Sequence, residues 1–563
     1  MNSYTERNII QTGKTLITVL FILIGLNATA QSWQWAKSAG GVSYDNATKS
    51  TTDNYGNIYI TGYFSSASIS FGSITLDNTN SGSSDIFVAK YDPTGNVIWA
   101  KRFGGNSFDY SEAITSDING DVIITGYFTS SSISFDTIGL SNTGVGNIYV
   151  AKLDSGGHMI WAINETGTAT DQAWSIATDL SNNIVIAGQY TSSSMQFGAV
   201  AIYNVGGSDA FLFKFDAYGN ALWGTDLTGD GLNNAQSVFI DNYYNIYTCG
   251  SFDGTFISFG TDSVYSDSLG NNKAYIAKYT NTGSFLWCKG IDGFGNRQAT
   301  ALAVDDTGFI YATGTFDNDI YLGTDSVHTN GVADVFLTKL DSSRNFVWSQ
   351  TFGGPAADIA QALTIDIYHN IYISGYYAST SMTIGYDTLR NAGYNDIFFA
   401  RFNYGGRLYR AVSVGGPMDD FGQSLASDAL GNVYMAGSFE SESISFGTNT
   451  LINAGGYTGT TDIFVAKFWD PVVAVAPVSK LPENVQLYPN PTIGLITLAF
   501  KNSIPTSIKV VDCLSRETIM TSENPTGENR LQQIDLRDFT PGVYYMALTY
   551  PDRLETIPFA IRK

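Results

Sequence analysis

At 563 residues the chain is too long for one hydrophobic core, so several units or a repeat array are expected. It is rich in glycine (58), tyrosine (34) and phenylalanine (34) and poor in charge, which suits the short strands and tight turns of an all-β protein. With 51 acidic against 29 basic residues, a formal charge of −22, it lacks the clustered Lys and Arg that phosphate binding needs; a nucleic-acid partner is excluded, and cations or neutral glycans fit better.

The chain opens with Arg7 and Lys14, the apolar run Leu16 to Leu26, and Ala28-Thr29-Ala30 before Gln31. That is the pattern of a secretory signal peptide over 1–30, cleaved after Ala30, with an apolar run too short for a comfortable membrane span. No later stretch is apolar enough to cross a bilayer. The expectation is an exported mature chain without a transmembrane segment. Cys249, Cys288 and Cys513 are odd in number and scattered, which favours small core residues over a disulfide framework.

From 31 to 469 one unit recurs. Trp35, Trp99, Trp161, Trp223, Trp287 and Trp348 mark it, with Arg410 in the seventh place, at gaps of 64, 62, 62, 64, 61 and 62 residues. Six residues after each marker stands a glycine (Gly41 to Gly416), eighteen after an aspartate (Asp53 to Asp428), and twenty-seven after another glycine (Gly62 to Gly437). Within a unit, alternation and turn residues predict four strands: a (Ala47–Thr52), b (Asn57–Tyr63), c (Ile86–Tyr91) and d (Val97–Lys101), with Asp-led turns at 53–57 and 92–96. Seven units of four antiparallel strands are the arithmetic of a seven-bladed β-propeller. The region begins with a lone d-type strand, Trp33 to Lys37, and ends after a c strand, Asp462 to Phe468, so the N-terminal strand is expected to close the last blade.

These residues resemble the SBBP repeat, with its TGYF…FG…DIFVAKYD…GN…W pattern matched seven times between Trp33 and Phe468. The resemblance implies the propeller fold and little about activity.

Length varies only in the b–c segment, from 20 to 25 residues between the second glycine and the Asp85 position. That confines variation to one face, the usual place for a binding surface, and a glycan or protein ligand is expected there. Phe71, Phe135, Phe197, Phe259 and Phe446 recur in the segment, favouring a hairpin anchor over a glycan-stacking platform. Asp136-Thr137, Asp262-Ser263, Asp325-Ser326 and Asp387-Thr388, each followed by an apolar residue, resemble the Bacteroidetes-type O-glycosylation sequon, which implies glycans on Thr137, Ser263, Ser326 and Thr388. A chance fit of one repeat position is the favoured alternative.

Ten residues after the marker come Asp45, Asp109, Asp171, Asn233, Arg297, Asp358 and Asp420. The five carboxylates either cap their a strands through local amides, the favoured reading, or converge at a channel mouth on a hard cation such as Ca²⁺. The Asp53 series faces a basic residue of strand c in every unit. Asp53 with Lys90, Asp117 with Lys152 and Asp179 with Lys214 begin an expected structural ion-pair ring.

Enzyme signatures are thin. His158, His328 and His369 occupy unrelated repeat positions, which leaves no His-bearing triad or His metal cluster. The DINGD run at Asp117 has Phe128 where a calcium loop needs Glu, and no carboxylate departs from the repeat in a way that picks out an acid and a base. No catalytic residue and no resident cofactor is assigned.

After a Pro/Val linker at 470–482, residues 483–563 read as a small β-sandwich. Tyr488-Pro489-Asn490-Pro491-Thr492, Asp512 to Glu517 and Pro541 to Tyr545 resemble the type A sorting domain of the type IX secretion system. That implies recognition by the secretion machinery and a secreted or outer-surface location. A surface binding or adhesion module is the favoured function, with an extracellular hydrolase of polysaccharide or peptide and a structural surface-layer component as alternatives.

Overall fold

The computed structural model describes residues 32–469, save 81, 267–269 and 457–458, and in the C-terminal part residues 485–488, 492, 495–501, 504–512, 518–523, 531–537, 539, 542–550 and 554–561. The expected signal peptide and linker, Cys513 and most residues of the sorting motifs lie outside the described residues. The chain is all-β and divides into two compact units, the first spanning Ser32–Trp469.

That unit holds seven antiparallel sheets built on four strands each, six of them four-stranded and the third continued by the hairpin of repeat 4, Phe256–Ser258 with Ser263–Tyr265. In repeat 1 strands a to d are Asp45–Thr52, Ile58–Phe64, Asp85–Tyr91 and Val97–Phe103. Strand a of repeats 2 to 7 is Asp109–Ser116, Asp171–Thr178, Asn233–Ile240, Arg297–Val304, Asp358–Ile365 and Asp420–Ser427. Each strand a carries a β-bulge against strand b in the same register, as between Ala47 and Lys49. The seventh sheet is completed from the other end of the chain: Ser32–Ala39 pairs antiparallel with Asp462–Trp469.

Consecutive repeats are tied by a backbone bond from the first residue of strand a to the residue before strand c of the preceding repeat. Asp109 N–H donates to Ser84 O at 2.9 Å, and the series runs through Asp171, Asn233, Arg297, Asp358 and Asp420 to Asp45, which donates to Thr461 O of repeat 7 at 3.0 Å. The tryptophans add a second tie. Trp35, Trp99, Trp161, Trp223 and Trp348 donate their indole N–H to the c–d turn of the following repeat, at 3.1 to 3.2 Å, with a turn glycine under the ring. Repeat 7 has no covalent c–d turn, because its strand d is the N-terminal strand, and the repeat that would reach for it has Arg410 instead of Trp.

The b–c segment forms a hairpin, Ser68–Phe71 with Ile74–Asp77 in repeat 1, that lies against strand d of its own repeat. Phe71, Phe135, Phe197, Phe259 and Phe446 are buried beneath these hairpins, so they anchor the cover and offer no stacking surface.

In the second unit, Val485–Tyr488, Leu495–Phe500 and Leu531–Asp535 form one sheet, and Ser507–Asp512, Thr518–Glu523, Gly542–Thr549 and Leu554–Ile561 another. Ile496, Leu498, Ile508, Val510, Met546 and Phe559 belong to one apolar core.

Candidate functional site

The Asp45 series does not gather round an ion. Each carboxylate is fully buried and spends its oxygens inside its own repeat. Asp45 accepts from Gly41 N, Ser65 N, Ser66 N and Ser66 Oγ, the last at 2.7 Å. Asp109, Asp358 and Asp420 repeat the pattern with Gly105 and Ser130, Gly354 and Ser379, Gly416 and Ser441. Asp171 holds Thr191 N and Ser192. Amides and hydroxyls already fill the coordination directions a shared cation would use. Among the described residues the one group of three ligating side chains within 4.8 Å of one another is elsewhere: Asp305 and Asp306 of repeat 5 with His369 of repeat 6. Asp305, 3.8 Å from Nδ1, and Asp306, 3.3 Å from Nε2, push the His369 imidazole up from its ordinary value.

Each capping aspartate has a second buried group beside it, at the start of strand c of the preceding repeat. The pairs are Asp85/Asp109, Asn147/Asp171, Asp209/Asn233, Lys273/Arg297, Asp334/Asp358, Asp396/Asp420 and Asp462/Asp45. Where both are carboxylates, a glycine separates them. A Cβ on Gly40, Gly104, Gly353 or Gly415 would sit within 2.3 Å of Oδ1 of Asp462, Asp85, Asp334 or Asp396, and that oxygen has no hydrogen-bond partner among the described residues. Where one member changes the glycine becomes Thr166 or Thr228, and where both change it becomes Asp292. At the repeat 4/5 junction both acids have become bases. Lys273 Nζ lies 2.7 Å from Asp292 Oδ1, and the buried Arg297 donates to the carbonyls of Ile291 and Gly295.

The expected ion-pair ring takes two forms, decided by one residue of strand b. Beside Ile123 and Val185 the lysine meets its aspartate directly: Lys152 to Asp117 at 2.7 Å and Lys214 to Asp179 at 2.9 Å. Where that residue is Tyr59, Tyr247, Tyr311, Tyr372 or Tyr434, its hydroxyl donates to the aspartate and the cation rests over the ring. Lys90 stands 3.7 Å from Asp53 and 4.9 Å from the centroid of Tyr59. The pairs Asp53/Lys90, Asp117/Lys152 and Asp179/Lys214 thus lie at 3.7, 2.7 and 2.9 Å, and in the repeats with tyrosine the cation also rests on its ring. Asp179→Ala leaves the buried Lys214 ammonium with the neutral Asn281 Oδ1 and should cost about 3–5 kcal/mol. Asp241→Ala leaves Lys278 on Tyr247 and loses turn hydrogen bonds worth about 1–2 kcal/mol. Equal losses in paired denaturant melts would contradict this division.

One register position differs in nearly every repeat. Immediately after each buried cap, strands a and b present the pairs Asn46/Tyr63, Tyr110/Tyr127, Gln172/Gln189, Asn234/Ser251, Gln298/Thr315, Ile359/Tyr376 and Phe421/Ser438. Most are half-buried, and the aromatics cluster: Tyr63 meets Tyr110 edge-on at 4.7 Å, Tyr110 stacks on Tyr127 at 4.9 Å, and Tyr376 meets Phe421 at 4.9 Å. Amide pairs beside stacked phenols offer both hydrogen bonds and flat apolar faces. These residues escape a reading based on segment length. Their signal is a variable column directly after the conserved +10 position.

A cavity of about 440 Å³ opens beside the reversed junction, between strand d of repeat 4 (Lys289, Gly290), the hairpin of repeat 5 (Tyr321 to Asp325) and the c–d turn and strand d of repeat 5 (Arg344 to Ser349). Length variation points to the hairpin alone, but half of this lining comes from the invariant-length c–d phrase. Arg344 takes φ +70°, where Gly95, Gly157, Gly219, Gly283 and Gly406 serve the other c–d turns. Trp287, which faces that turn, makes no indole hydrogen bond among the described residues, and its ring centroid lies 5.9 Å from the guanidinium carbon.

Residues 486–557 match the family model described as Secretion system C-terminal sorting domain. The chain thus carries a type IX sorting domain, which indicates export to the cell surface or secretion and engagement of that machinery. The chain is 22% identical to an uncharacterized WD repeat-containing protein of Acanthamoeba polyphaga mimivirus, over 77% of this chain and 38% of the relative. It is 25% identical to the regulatory protein FlaEY of Caulobacter vibrioides, over 50% of this chain and 32% of the relative. It thus spans about a third of the length of these relatives. Solved structures with similarity include Sqt1 from Chaetomium thermophilum (10% identity, TM-score 0.37, 78% of this chain and 99% of that one) and PorZ of Porphyromonas gingivalis (10%, TM-score 0.20, 94% and 100%). Among the described residues no helix is long and apolar enough to cross a membrane.

Proposed function

We propose that the repeat region is a closed seven-bladed β-propeller of the SBBP type, displayed outside the cell by a type A sorting domain, which binds a glycan or protein ligand. The cyclic series of backbone ties, with Asp45 bonded to Thr461, supports closure. One observation carries the binding reading: caps, turns and glycines repeat almost unchanged, while the strand a/b pair next to each cap varies between amide, phenol and aliphatic. Structure alone does not require that variety at a half-exposed position. A purified full chain on a glycan array, with Tyr110→Ala and Gln172→Ala beside it, tests this. Selective binding weakened at least about 10-fold in either variant, at unchanged melting temperature, is the expected result. Binding that ignores both substitutions would refute it.

Thr137, Ser326 and Thr388 are exposed on the b–c hairpins and Ser263 is half-buried. If these sequons are used, intact-mass and peptide spectra of the exported protein will show hexose-containing adducts on the first three at least. Unmodified peptides throughout would retire the idea.

A further inference from the structure

We propose that the cleft between repeats 4 and 5 is a second binding site, specific for an acidic sugar residue, with Lys289 and Arg344 taking the anionic group and Tyr321, Phe346 and Trp348 taking the apolar face of the ring. In a chain of formal charge −22, this one cavity is lined by two cations with no carboxylate within 4 Å of either among the described residues, Asp292 acting on Lys289 from farther off. The cleft has acids of its own, but Asp292 is held by Lys273 at 2.7 Å, and Asp325 stands on the exposed hairpin rim. Lys289 Nζ lies over Phe346, 4.7 Å from its centroid. Burial lowers the Lys289 ammonium from its ordinary value, Asp292 offsets part of this and Arg344 adds to it, and an anion between the two cations would relieve their repulsion.

The backbone supplies an independent argument. A left-handed conformation is costly for arginine and free for glycine, and five sister turns use glycine. A Cβ at those turns would come within about 3 Å of the tryptophan ring, so Arg344 is incompatible with the seat its sisters provide, and the Trp287 tie is absent. Only here does a turn give up both comfort and a seam bond, and the side chain gained lines the cavity. Guanidinium and carboxylate or sulfate form paired, charge-assisted hydrogen bonds. Tyrosine, phenylalanine and tryptophan rings stack on the C–H face of a pyranose, which a bare phosphate or an acidic peptide does not offer.

The test is calorimetric titration of the full chain with oligosaccharides of polygalacturonate, alginate and chondroitin sulfate, with their carboxyl-reduced or desulfated forms, and with inorganic phosphate. At least one acidic oligosaccharide should bind, its neutral form should bind at least about 10-fold more weakly, and raised salt should weaken it. Lys289→Ala and Arg344→Gly should each lose at least about 10-fold, while Arg344→Gly melts no lower than the parent because the strained turn is relieved. Tyr110→Ala should leave this binding unchanged, which separates it from the first site. No binding by any acidic oligosaccharide, equal binding of phosphate, or full affinity in Arg344→Gly would each overturn the proposal.

Discussion

A chain that begins after Ala39 is expected to lose cooperative unfolding, to melt at least about 10 °C lower than the parent, and to self-associate. The missing strand pairs with Ile463 through Trp469, so its removal exposes a row of backbone donors and acceptors on a central, otherwise buried strand. It also removes Trp33, which packs against Phe399, Phe446 and Phe468 at centroid distances of 4.9 to 5.3 Å, together with the buried Ala36 and Ala39. Burying a tryptophan stabilises by about 3 kcal/mol, and an uncovered apolar sheet face costs more. Trp35 ties this strand to Pro93 in repeat 1, so the seam on its other side opens too. The synthetic peptide SWQWAKSA, added in excess, should restore much of the transition by strand addition. A truncated chain with an unchanged, cooperative melt would show that repeat 7 stands without its latch.

The second large effect is on pH. Burial, opposed only in part by hydrogen bonds, raises Asp109 and Asp358 to about 6 and Asp420 and Asp462 to about 7, with the neighbouring aspartate of each pair adding to the shift. An unfolded aspartate titrates near pH 4. Between about pH 7 and pH 4 the folded protein thus binds more protons than the unfolded chain, and stability rises as pH falls through that window. Below it the sign reverses, because hydrogen bonds hold Asp305 down to about 2 and that contribution is lost as pH falls from about 4. Four such sites, at about 1.4 kcal/mol per pH unit and discounted for mutual coupling, amount to roughly 5–10 kcal/mol. For a unit of this size that is roughly 5–10 °C between pH 8 and pH 5. Melts across that range should show the rise. Asp462→Asn, which supplies the uncharged form, should raise the pH 8 value and shrink the rise. A melting temperature that falls from pH 8 to pH 5 would refute the account.

The four strands of each repeat and their order could be read from the sequence because they rest on local alternation and on turn residues copied from repeat to repeat. So could the terminal latch, since a d-type phrase at 33–37 and a missing one after 468 are complementary deficits. The pairing of Asp45-type with Asp85-type groups could not, because the partners lie in different repeats and only their joint substitution, Lys273 with Arg297, hints at contact. The two forms of the lysine ring turn on a strand b residue, Ile123 against Tyr59, whose hydroxyl competes for the same carboxylate oxygen. The cleft was hidden because it sits partly in the most conserved phrase of the chain. Arg344 in a glycine column was visible there, but its meaning needs the ring it displaces.

The indoles that stitch one repeat to the next are also fluorophores, one at each seam they bridge. Trp35, Trp99, Trp161, Trp223 and Trp348 each sit on a turn of the following repeat, whereas Trp287 lies beside a guanidinium with no indole hydrogen bond among the described residues. Variants keeping a single indole should therefore resolve unfolding seam by seam, with the Trp287 reporter red-shifted from the start and responsive to whatever enters its cleft.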